Sequence, residues 1–239
     1  DLLSIIIDKL SPSQLLDHVL PQSAPLLAAC IESIKWKAGG IPTIKHRISA
    51  VAFLRRLLSP LSGHKEPLAP GQLTMTTAQL KVVIDSTDDR EVSVRLESIT
   101  ALNSILSSFL ANQTLMSSST ALDEQRMVVN AMISRLDDMD DSVRIAAASA
   151  LAGVFKLTHS IPAPTEGDYT TPEAIIKRML VHLDDSNQAI QSGVLESLQT
   201  AATIDPQLVF TLAQEVIKKH RSPLPCQALI DFVKNLLPS

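Results

Sequence analysis

Apolar residues along this chain recur at the three-and-four spacing that marks one buried face of a helix. Leu80, Val83 and Ile84 form one such face, Val129, Met132, Ile133 and Leu136 a second, and Ile176, Met179, Leu180 and Leu183 a third. Each is followed by an acidic turn and then by another face of the same kind. These second faces superpose as Val94, Ser98, Ala101, Leu102, Ile105; Val143, Ala147, Ala150, Leu151, Val154; and Ile190, Val194, Ser197, Leu198, Ala201. The turns Asp88-Asp89, Asp137-Asp138 and Asp184-Asp185 lie 49 and 47 residues apart, close to the period of stacked helical hairpins. Small residues at Ala101, Ala150 and Ser197 predict close approach of neighbouring helices.

The rest of the chain fits the same plan. Two short apolar stretches, 2–10 and 12–20, read as a first small hairpin. A helix over 23–38 ends at Gly39-Gly40, where glycine supplies a left-handed exit. Pro42 then opens a helix ending at Leu58, in which His46–Leu54 aligns with Val143–Leu151 as a fourth, weaker copy. First helices over 72–86, 121–136 and 172–183 precede the three clear second helices. Asp205-Pro206 starts a helix over 206–220, and Pro223 and Pro225 separate it from a last helix over 226–237. The Pro- and Gly-rich stretch 59–71, the polar stretch 111–120 and the Pro-rich stretch 159–172 read as loops between repeats. The result is an all-α solenoid of about six antiparallel helix pairs, one domain over 1–239. Its approximate repeats are 1–21, 23–58, 72–110, 121–158, 172–202 and 205–237. The opening Asp1-Leu2-Leu3, without Met, reads as a cut at a repeat boundary in a longer protein.

Composition narrows the function. Of 239 residues, 45% are hydrophobic but only 3% aromatic, so the core is built from Leu, Ile, Val and Ala. A net charge of −4 argues against a general nucleic-acid or membrane-surface binder. No apolar run reaches the ~18 residues of a membrane span. Cys30 and Cys226 lie near opposite ends and read as two reduced thiols, which fits a reducing compartment.

Candidate chemistry is sparse. The acidic pairs lack calcium-loop spacing and recur where helix caps are needed. The six histidines show no ligand spacing with each other or with Cys; His182 reads as a local hydrogen-bond partner of Asp184-Asp185. No nucleophile elbow, P-loop or dinucleotide fingerprint occurs. Neither catalysis nor a metal, cofactor or small-molecule ligand is expected. Ser11-Pro12, Ser59-Pro60 and Ser222-Pro223 match proline-directed phosphorylation sites, although helix punctuation explains them as well. Lys218, Lys219 and Arg221 form the densest basic run, read mainly as compensation for a helix C-terminus. Trp36, the lone tryptophan, stands near a helix end. These four residues are the candidate partner contacts.

An Asp in the turn, followed by an apolar residue and Arg early in the second helix, resembles the HEAT repeat. The matching residues are Asp89, Val94 and Arg95; Asp138, Val143 and Arg144; and Asp185 and Ile190 with Gln191. The resemblance implies a right-handed α–α superhelix of the HEAT/armadillo type. It also implies a ladder of hydrogen bonds in which each Arg reaches the Asp of the next repeat, made of Asp89, Arg95, Asp138, Arg144, Asp185 and Gln191. The Asp is expected to cap the helix start, and the Arg fork to fix the stacking angle. Gln191 departs from the pattern, so the ladder should weaken there. The proline that many HEAT repeats carry in the first helix is absent, which predicts straighter first helices.

The segments KRMLVHLDDSNQAIQ (177–191) and EVIKKHRSPLPCQALIDFVKNL (215–236) resemble the C-terminal region of HEAT-repeat factors that assemble axonemal dynein arms. That resemblance implies a cytoplasmic, non-catalytic scaffold whose partners are proteins: dynein chains, co-chaperones or other assembly factors. Two alternatives stay open. One is a general HEAT adaptor of the transport-receptor or phosphatase-scaffold type; the other is a nucleic-acid-associated HEAT subunit.

Overall fold

The computed structural model describes residues 9–10, 14, 23–35, 40–58, 75–111, 121–158 and 171–237. Among them the regular structure is entirely helical, with ten α-helices and no strand. The stretches 2–8 and 15–20, Trp36, Tyr169 and most of the three expected loops lie outside the described residues.

The helices are α1 (Ser23–Lys35), α2 (Ile41–Leu58), α3 (Thr77–Ser86), α4 (Val92–Ala111), α5 (Ala121–Ser134), α6 (Asp141–Thr158), α7 (Pro172–Val181), α8 (Gln188–Ile204), α9 (Pro206–Val216) and α10 (Leu224–Lys234). They fall into two compact units, Asp1–Val128 and Val129–Ser239. In the first unit α1 packs on α2 and α3 on α4, while α1 also meets α3 and α2 meets α4. In the second, α7 packs on α8 and α9 on α10, while α7 meets α9, and α6, α8 and α10 follow one another. Within each unit, first helices stack on first helices and second helices on second helices. That is the two-layer packing of helical-hairpin repeats.

The apolar periodicity decides which faces are inside. All fifteen second-helix positions from Val94 to Ala201 named above are buried. On the first helices only Ile84 stays half-buried; Leu80, Val83, Val129, Met132, Ile133, Leu136, Ile176, Met179, Leu180 and Leu183 are buried. Two details tighten the layer of second helices in the second unit. Ser197 Oγ donates to the Ala148 carbonyl at 2.9 Å. A Cβ on Gly193 would stand 3.2 Å from the Ala148 Cβ, so α6 and α8 approach closely where residue 193 has no side chain.

Helix boundaries differ from the sequence reading in two systematic ways. The helix expected from residue 72 begins at Thr77. Thr76 and Gln79 form a capping box there: Gln79 N donates to Thr76 Oγ1 at 3.3 Å and Thr76 N to Gln79 Oε1 at 2.9 Å. The first helices expected to run to 136, 183 and 220 end earlier, each in a single 3-10 turn: Arg135–Asp137, His182–Asp184 and Ile217–Lys219. The tighter turn keeps Leu136 and Leu183 buried while the backbone reverses. The last helix starts at Leu224 rather than 226, with Pro225 tolerated in its first turn. Gly40, the residue just before α2, takes a left-handed φ of 104°, and its carbonyl accepts from Thr43 N at 3.1 Å at the start of that helix; the helix exit expected at Gly39 lies outside the described residues.

Candidate functional site

The turns between first and second helices share one design. Asp89 Oδ1 accepts the Glu91 N–H at 3.0 Å, Asp138 Oδ1 the Asp140 N–H at 3.0 Å, and Asp185 Oδ1 the Asn187 N–H at 2.8 Å. Each of these N–H groups belongs to the residue just before a second helix. The repeated aspartate therefore does not cap its helix directly. It orients the residue that stands at the cap, closing an Asx turn. In the second unit that residue does the capping: Asp140 Oδ1 accepts from Ser142 N at 2.9 Å, and Asn187 Oδ1 from Ala189 N at 2.9 Å.

The arginines tie neighbouring turns together inside each unit. Arg47 Nη2 donates to Asp89 Oδ1 at 3.1 Å, with both side chains buried. Arg144 Nη1 donates to Asp185 Oδ2 at 2.5 Å. Arg144 also holds Asp141, and these contacts raise its pKa, the Asp141 hydrogen bond most. Arg95 Nη1 folds back onto the carbonyls of Asp89 and Arg90 at 3.0 and 3.3 Å. Gln191 Nε2 makes the equivalent bond to the Asp185 carbonyl at 2.6 Å. Arg47 lies outside the ladder that the resemblance implies, but the match of His46–Leu54 to Val143–Leu151 puts it at the place of Arg144. A half-buried pair, Arg55 Nε to Glu97 Oε1 at 2.7 Å, adds a second tie between α2 and α4.

The last turn explains why residue 191 is not an arginine. Asp138 and Asp185 both follow a 3-10 turn at φ −64°, ψ 148°, and His220 occupies the same step at φ −76°, ψ 136°. No carboxylate stands there for an arginine at 191 to reach. The acid that holds this turn comes instead from the preceding one. Asp184 Oδ1 accepts Ser222 N at 2.8 Å, and Asp184 Oδ2 accepts Arg221 N at 2.9 Å and Arg221 Nε at 3.2 Å. Arg221 Nη2 reaches the Asp184 carbonyl at 3.1 Å. The backbone N–H of Arg221, then that of Ser222, then the guanidinium hold the Asp184 carboxyl down to about 2. Arg221 therefore clasps a neighbouring turn and does not serve the end of its own helix.

His182 also departs from the local role read from sequence. Its Nε2 lies 3.6 Å from Asp137 Oδ1 of the preceding turn, too long for a hydrogen bond. Burial lowers its pKa and outweighs the pull of Asp137 and Asp185. The ring is accordingly neutral near pH 7, and the Asp137 contact is not an ion pair. Asp137 is held by Arg178 Nη2 at 3.4 Å.

Among the described residues no group of His, Cys, Asp or Glu could hold a metal, and no helix is long and apolar enough to cross a membrane. Both cysteines are free and buried. Lys218 and Lys219 are exposed and make no ion pair among the described residues. Three apolar side chains also stand out at the same turns: Met139 is 100% exposed, Leu224 76% and Val181 65%. The sequence signal for Met139 was its place between aspartates in a turn, outside every apolar face. A groove of about 540 Å³ lies between α1 and α2, lined by Leu26, Cys30, His46 and Phe53 among others.

No protein-family model matches the chain. It is similar to dynein axonemal assembly factor 5 of Mus musculus, with 29% identity over 148 residues, which is 61% of this chain and 17% of that relative. The protein of the same name from Homo sapiens is 30% identical over 146 residues, 60% of this chain and 17% of the relative. That from Xenopus laevis is 33% identical over 113 residues, 47% and 13%. The aligned stretch thus spans 17% or less of the length of these relatives. Among solved structures, an engineered protein matches with TM-score 0.43 at 15% identity, covering 98% of this chain and 97% of its own. A computationally designed armadillo repeat protein for modular peptide recognition matches with TM-score 0.40 at 13% identity, covering 92% and 100%.

Proposed function

We propose that this chain is part of a non-catalytic, cytoplasmic scaffold that holds partner proteins during assembly of axonemal dynein arms. The similarity over 61% of the chain to a protein named for that process is the observation that carries the reading. The use of charge supports the non-catalytic part. The paired acids and arginines are engaged in closing turns and tying successive hairpins together, which builds a scaffold and leaves its surface to recognition. The exposed side chains at the turns, Met139, Val181 and Leu224 together with Lys218 and Lys219, are the surface we assign to partner contact. Dynein chains, co-chaperones and other assembly factors are its proposed partners.

Affinity capture of the tagged chain from differentiating multiciliated cells, with non-ciliated cells as the control, tests the reading. Recovery of axonemal dynein chains or their assembly factors from ciliated cells alone is expected. Capture of the same partners from both cell types, or of no dynein-related protein, would replace it with a general adaptor.

A further inference from the structure

We infer that Ser222 is a phosphorylation site for a proline-directed serine/threonine kinase, and that its phosphate opens the clasp joining the last two turns. Three observations converge on this residue. Ser222 is exposed, and its Oγ makes no hydrogen bond among the described residues. Pro223 follows it directly, and Lys218, Lys219 and Arg221 precede it, all exposed. Its backbone N–H is held by Asp184, an acid from the preceding turn, because His220 stands where the other turns carry their own aspartate.

The transfer needs ATP and the kinase. Ser222 Oγ attacks the γ-phosphorus, the bond to the ADP oxygen breaks, and the hydroxyl proton leaves through the kinase's catalytic carboxylate. The product carries about −1.5 to −2 charges at pH 7 on a residue whose backbone N–H rests on a carboxylate. Two consequences have the same sign. The phosphate repels Asp184, and it competes for the Arg221 guanidinium that now rests on Asp184. Against them stands one favourable term, a new anion near the start of α10. Three hydrogen bonds to the Asp184 carboxylate are placed at risk for that single term, so opening wins. The change is local. Cys226, Leu229, Ile230 and Val233 still bury α10, while the turn at 220–223 and its basic side chains are released.

The whole chain is treated with a proline-directed kinase and Mg-ATP, mapped by mass spectrometry, and followed by amide hydrogen exchange. Phosphate is expected on Ser222 and absent from Ser222→Ala. Exchange at the Arg221 and Ser222 amides should rise by about tenfold or more on phosphorylation. Asp184→Asn separates the clasp from general loosening: it should raise the same exchange without phosphate, and phosphorylation should then add little. No phosphate on Ser222 overturns the site. Phosphate with unchanged exchange, or an equal further rise in Asp184→Asn, overturns the clasp.

Discussion

Arg144 of α6 donates to Asp185 of the following hairpin at 2.5 Å, while the residue before it, Val143, is fully buried in the apolar seam. Neighbours in sequence thus serve two different interactions, and substitutions separate them. Arg144→Ala is expected to cost ~1–3 kcal/mol, because the partly buried Asp185 loses its charged partner. Val143→Asp puts an unpaired carboxylate among apolar helices and should cost more, abolishing a cooperative melt of the second unit. Thermal melts of the two variants check the order; a milder effect for Val143→Asp contradicts the assignment of inward faces.

Strong acid should loosen the last turn. The Asp184 carboxyl is held below its ordinary 3.8, at about 2, by the Arg221 and Ser222 N–H groups. A depressed carboxyl contributes stability that is present above the unfolded value and lost as pH falls through the folded one. Exchange at the Arg221 and Ser222 amides should therefore accelerate as pH falls from about 4 towards 2, after correction for intrinsic rates. Asp184→Asn should remove that pH dependence.

A second pH effect has its origin in His182, whose pKa burial lowers from 6.5. The unfolded chain then binds a proton that the folded chain resists. Stability is full above 6.5 and declines as pH drops below it, towards the folded value. Denaturant midpoints between pH 8 and 5 should fall for the native sequence and flatten in His182→Gln. An unchanged slope in the variant assigns the effect to another group.

Close packing of α6 on α8 depends on residue 193. Gly193→Leu drives a branched side chain against Ala148 and the backbone at Ser149, which cannot retreat as a flexible side chain would. Overpacking of this kind costs ~1–3 kcal/mol. Ser197→Ala removes only the hydroxyl bond to the Ala148 carbonyl and should cost ~1 kcal/mol. Equilibrium denaturation of both variants gives the comparison.

Burial pushes both thiols up, Cys30 to about 11 and Cys226 to about 11. Little thiolate is present at pH 8, and both residues are buried. A chromogenic disulfide reagent should react slowly with the folded chain and promptly with both thiols in denaturant. Fast native reaction of either would show that its helix opens locally.

How much of this was legible beforehand depends on the range of each interaction. The apolar positions from Val94 to Ala201 could be read because burial follows the helical period, which is a property of a dozen consecutive residues. The positions of the acidic turns followed from equally local chemistry. The Thr76–Gln79 box is local too, and its Thr-x-x-Gln pattern stands in the sequence. The 3-10 ends are hidden in the sequence because a 3-10 turn preserves the three-residue apolar spacing that a continuing α-helix also shows.

By itself, then, the order of residues determined an all-helical chain of repeated hairpins, the faces they bury and the placement of the acid pairs. Only the tertiary structure decided which charge meets which. Arg47 lies 42 residues from Asp89, Arg144 41 from Asp185, and Arg221 37 from Asp184. Those meetings depend on how one hairpin settles on the next, and that settling is fixed by packing across the layers. The substitution of Asp184 for the aspartate missing at His220 is of the same kind: every residue was visible in the sequence, but their proximity was not.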